Sequence, residues 1–258
     1  MRTRLVLAAL AITGLMTFGW DCAQAQAAVL APAESQAPTL RKIPAELPAD
    51  VAFGRFIALI RGHLLTGEAL VKERDWEDAH PHFMFPLEEI YGVIRDDLHN
   101  YKTPQFDDAL RTLARTVRAR SARRYPAALA RVERALAAAD ANLKSRQPDW
   151  PHFELTVAVE VVKTAAEEYE DAISNGRIRH AVGYRTARGF ILQAGRMIDS
   201  VGGDLGAKNA EALRDLRDGL ARLKQAFASV DAPRRPPIDE ANLLAVVSRI
   251  EQAAGRLA

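Results

Sequence analysis

Prolines stand at the head of five apolar, helically spaced runs, and no alternating strand pattern lies between them. They occur in Pro48-Ala49-Asp50, at Pro86, and in Thr103-Pro104, Tyr125-Pro126 and Asp149-Trp150-Pro151. Proline has no N–H to donate and a φ already near the helical value, so it suits a first helical turn. The first run carries Phe53, Ile57, Ile60, Leu64 and Val71 on one stripe, with Gly67 on the same side. Asp75 to His80 reads as a short helical turn, and Pro81 and Pro86 are expected to break the chain's helical path after it. Further helices are expected from Pro86 to about Leu98, Thr103-Pro104 to about Arg120, and Tyr125 to about Lys144. The next begins at Trp150 and ends at Asn175-Gly176. The last three cover about Ala181–Val201, Ala207–Val230 and Ile238–Leu257. The expected fold is all-α: an up-and-down bundle of seven or eight helices over residues 49–258, with a candidate boundary between two sub-bundles near 145–149.

The N-terminus reads as an export signal. Arg2 and Arg4 precede an apolar run from Leu5 to Trp20, and small residues come next at A-x-A spacing around Ala23, Ala25 and Ala27. The run is shorter than the roughly 20 residues a spanning helix needs. A signal peptide over residues 1–27 and a periplasmic, soluble mature chain are therefore expected. Residues 28–48, rich in Ala and Pro, read as a flexible leader. Removing the signal removes Cys22, the single cysteine. That excludes a disulfide, a thiol nucleophile and a thiolate metal site from the mature chain. Its charges nearly balance, which gives no reason to expect nucleic acid. The arginines between Arg111 and Arg134 are read as solubilising side chains over an apolar stripe rather than as a membrane dock. DWEDAHPHF resembles part of a tetratricopeptide unit, but no copy occurs about 34 residues on. There is no GxSxG, HExxH or glycine-rich phosphate loop, so an enzyme is not expected.

Chemistry concentrates between Arg61 and Tyr91, which hold His63, His80 and His82 with Glu68, Glu88 and Glu89. If the helices bearing them pack antiparallel, His63, His82 and Glu89 converge. Imidazole with carboxylate suits iron, copper or zinc, and the thioether of Met84 would favour copper(I). The competing reading is a hydrogen-bonded network that locks two helices together. Glu160, Glu167 and Glu168 flank the stripe of the helix beginning at Trp150 and are read as a solvated face. Asp149, His152 and Glu154 sit where acidic residues favour a helix N-terminus.

Two stretches carry a family resemblance. Gly62-His63-Leu64, Gly67, Ala79, His82, Met84 and Pro86-Leu87-Glu88-Glu89-Ile90-Tyr91 form the first; Thr164-Ala165-Ala166-Glu167-Glu168-Tyr169, Gly176, Ile178, Tyr184 and Phe190 form the second. Together they resemble poorly characterised exported bacterial helical proteins, and are similar to extracytoplasmic helical regions of iron-permease-like proteins. The resemblance implies a helical periplasmic protein tied to iron or copper handling. Phe85 and Gly183 depart from the pattern, standing where histidine and glutamate are expected. The function expected is non-catalytic binding of a transition metal by His63, His82 and Glu89, for sequestration or for delivery to a periplasmic or membrane protein partner. The alternative is a helical interaction module with no ligand.

Overall fold

The structure is a computed structural model and describes residues 47–258. The signal peptide expected over 1–27, and nearly all of the leader over 28–48, lie outside the described residues. The fold is all-α apart from one small hairpin. Its helices are α1 (Ala49–Lys72), α2 (Trp76–Phe85), a π-helical turn (Pro86–Ile90), α3 (Tyr91–Ile94), α4 (Asp107–Arg118), α5 (Tyr125–Lys144), α6 (Trp150–Asp171), α7 (Ala181–Ser200), α8 (Gly202–Lys208), α9 (Ala210–Ala226) and α10 (Glu240–Gly255).

Several helix starts arise from side-chain caps. Asp75 accepts a hydrogen bond from the Asp78 N–H at 3.1 Å, Asp149 from His152 at 3.0 Å, and Asn209 from Ala212 at 3.0 Å. Each satisfies an N–H that has no partner within its own helix. The helix expected over 207–230 starts only after Asn209, as α9, and the short helix α8 occupies the stretch before it.

Three local expectations need correction. Pro81 does not end a helix: it lies inside α2, at the cost of one helical hydrogen bond. Pro86 likewise leaves the helical path unbroken, but the turn after it widens, and the Tyr91 N–H reaches the Pro86 carbonyl in an i→i+5 bond. Thr103 does not cap α4. Its hydroxyl donates to the Tyr101 carbonyl, and the helix starts only after Phe106, whose ring is buried and whose N–H donates to Tyr91 Oη. Asn175-Gly176 does more than stop α6. With φ of 53° and 67°, the two residues form the turn between β1 (Ile173–Ser174) and β2 (Arg177–Ile178), the left-handed pair that a tight hairpin favours.

α1 is buried on most of its surface rather than along one stripe, because α2, α5, α6 and α7 all pack against it. Glycine permits two of these approaches. Phe83 of α2 sits over Gly67, and a methyl group at Gly189 of α7 would strike the Gly62 carbonyl and the Thr66 hydroxyl. Close contacts on both sides of α1 thus bracket His63.

Candidate metal centre

His63 and His82 meet in the core. They are 4% and 0% exposed, and their ring centroids lie 5.8 Å apart. Gly62 and Gly67 draw α7 and α2 onto α1, and the cap at Asp75 fixes where α2 begins. Phe190 of α7 stands edge-on to His63 at 5.1 Å, and Phe85 at 5.7 Å. The His63 imidazole is therefore flanked by two aromatic rings and by His82.

This enclosure sets their charge. Burial pushes the His63 imidazole down to about 3. His82 is held well below the usual histidine range by burial first, then by His63 and the Arg185 guanidinium. Both rings stay neutral at physiological pH. Arg185 is itself buried and tied on three sides. It pairs with Asp78 at 2.6 Å, its Nε donates to the Val230 carbonyl at 3.1 Å, and its own carbonyl accepts from Thr66 at 2.9 Å.

His63 Nδ1 and both ring nitrogens of His82 are buried without a hydrogen-bond partner. An unsatisfied buried polar group costs about 1–3 kcal/mol, so three at one spot make a costly arrangement. A single ion bridging two imidazoles, with bonds of about 2 Å, would hold the centroids about 5–6 Å apart. The observed separation falls in that range.

The third expected ligand is elsewhere. Glu89 lies in the π-helical turn and is half-buried. Among the described residues no three His, Cys, Asp or Glu side chains group as a ligand set. The structure therefore brings His63 and His82 together and leaves Glu89 out of any such group. The extra residue in the π turn rotates the downstream residues by roughly 100° about the helix axis. His80 is only half-buried and faces Arg118 and Glu88.

The sequence pattern did not single out Glu168. Expected on a solvated face, it is 6% exposed, its Oε2 has no partner, and burial pushes its carboxyl up to about 8. The signal was present: Val161, Ala165 and Glu168 fall at i, i+4 and i+7 on the buried side of α6. Glu167 is exposed, and Glu160 pairs with Lys163 at 2.9 Å.

Residues 144–257 match the iron permease-associated 4-helix bundle domain. They hold the long helices α6, α7, α9 and α10, and amount to less than half the chain. No curated protein and no solved structure matches the chain. His63 and His82 precede the matched region, whereas Arg185 and Phe190 lie inside it. Among the described residues no helix is long and apolar enough to cross a membrane.

Proposed function

We propose that the chain is an exported, non-catalytic helical module of a metal-transport system, and that His63 and His82 hold a transition-metal ion as its cargo. The observation that carries this reading is the pair of buried, neutral imidazoles with unpartnered nitrogens, their ring centroids 5.8 Å apart. The similarity of residues 144–257 to a domain associated with iron permeases supports the link to metal transport. The donor set argues about which metal. Two histidines with one carboxylate are a ferrous ligand set, and among the described residues no carboxylate joins the pair. A divalent ion would bring two charges to a buried pair of neutral donors, beside an Arg185 guanidinium whose one ion pair among the described residues is with Asp78. Monovalent copper, soft and content with few neutral donors, fits the pair better than iron does.

The enclosing aromatics and the missing third ligand favour a second reading, in which the pair only locks α1, α2 and α7 together. Titration of copper(I), zinc(II) and iron(II) against a competing chelator separates the two. The metal reading predicts one copper(I) per chain, lost in both His63→Leu and His82→Leu and kept in Glu89→Gln. Absence of stoichiometric copper, or its retention in both leucine variants, overturns it and leaves the lock.

A further inference from the structure

α1, α5, α6 and α7 enclose a cleft of about 380 Å3 that neither His63 nor His82 lines. Clefts of this size accommodate small organic ligands. Part of its polar lining is already satisfied: Arg61 pairs with Glu133 at 3.0 Å and with Asp140. Three lining groups are not. Glu154 makes no hydrogen bond or ion pair among the described residues. Gln193 is only 7% exposed, yet its amide lines the cleft without a hydrogen-bond partner among those residues. Arg196, exposed and one helical turn beyond Gln193, stands at the rim with no ion pair among them, although the Glu68 carboxylate acts on it at longer range. The apolar side of the cleft includes Trp150, Phe153 and Met197.

These leftovers describe their complement. A carboxyl without an ion pair asks for an ammonium, a guanidinium without an ion pair asks for a carboxylate, a buried amide serves either, and the aromatic wall asks for an apolar body. We infer that the cleft binds a zwitterion of amino-acid size with an apolar side chain, its ammonium on Glu154 and its carboxylate on Arg196. A protein lysine or a simple amine would leave Arg196 unmatched. A bare metal ion lacks a ligand set, since no three candidate ligands group among the described residues. Burial first, then Asp140, pushes the Glu154 carboxyl up to about 7, and the Arg61 and Lys144 cations, neither in ion-pair contact with it, only partly oppose this. Ligand binding should therefore strengthen as Glu154 sheds its proton.

The test is calorimetric titration of the chelator-treated mature chain with L-phenylalanine, phenethylamine and 3-phenylpropionate at pH 6 and pH 8. L-Phenylalanine is expected to bind one per chain and more tightly at pH 8. Each half-ligand is expected to bind at least about tenfold more weakly. Glu154→Gln should weaken phenylalanine about tenfold and flatten the pH dependence, and Gln193→Leu, close in shape, should weaken it in a chain whose thermal unfolding is unchanged. No binding at millimolar phenylalanine overturns the inference. So does a half-ligand that binds as tightly as the zwitterion, or binding indifferent to both substitutions. Chelator treatment keeps this result independent of the histidine pair.

Discussion

His82→Leu should make the metal-free chain more stable, and increasingly so in acid. Wild-type His82 is wholly buried with both ring nitrogens unpartnered. Leucine fills nearly the same space and brings no polar atom, so relief of the orphaned nitrogens is worth about 1–3 kcal/mol at pH 8. A second contribution appears below the ordinary histidine pKa of 6.5. There the unfolded chain binds a proton at this imidazole that the folded chain refuses. The unfolded state then holds more protons, and wild-type stability falls as pH falls. At pH 5 the proton taken up is worth about 1.4 kcal/mol for each of the 1.5 pH units below 6.5, or about 2 kcal/mol. The variant escapes this loss, so its advantage should widen to about 3–5 kcal/mol at pH 5. Urea unfolding at pH 5 and pH 8, with a chelator present, measures both numbers. A variant less stable than wild type at pH 8, with the same fall towards pH 5, would refute a neutral and unsatisfied His82.

The packing and the charges carry three more expected outcomes. Glu168 keeps its proton to about pH 8 in the fold, whereas its ordinary value is 4.5. The unfolded chain gives the proton up first, so this group costs stability as pH rises from 4.5 to 8 and nothing below that window. Glu168→Gln should recover about 3 kcal/mol at pH 7, and a Gln variant with unchanged pH dependence of urea unfolding would contradict it. Gly189→Ala drives a methyl group onto the Gly62 backbone and Thr66, which a helix pair relieves only by separating. A loss of about 3 kcal/mol or more is expected, and thermal unfolding within a degree of wild type would count against the close approach. Asp75→Ala removes the cap of α2 and should cost about 1 kcal/mol in urea unfolding. No measurable loss would mean that packing alone fixes the start of the helix bearing His82.

Much of the helical order was legible because it rests on local chemistry. The cap at Asp149 and the proline at Pro126 act within one turn, and both mark helix starts as expected. Thr103 misled because the backbone enters the helix only after Phe106, three residues too late for its hydroxyl to accept from a first-turn N–H. The meeting of His63 with His82 was readable as a consequence of antiparallel packing between neighbouring helices. Glu89 was not: it lies within an i→i+5 turn that nothing in Pro-Leu-Glu-Glu-Ile announces. Glu168 was masked by its neighbours: in a run of four acidic residues among five, one points inward, and only the stripe through Val161 and Ala165 tells which. The cleft was invisible for a different reason. Arg61, Asp140, Glu154 and Gln193 come from four helices, and only tertiary packing shows that Arg61 is spent on Glu133 and Asp140 while Glu154 and Gln193 are left over.

The histidine pair is tested most directly by the copper K-edge absorption spectrum of the mature chain loaded with one equivalent of copper(I). Two nitrogen scatterers at about 2 Å with imidazole outer shells are predicted, disappearing in the His63→Leu, His82→Leu double variant. A spectrum with sulfur in the first shell, with four or more oxygen and nitrogen neighbours, or unchanged in the double variant would contradict a two-histidine centre.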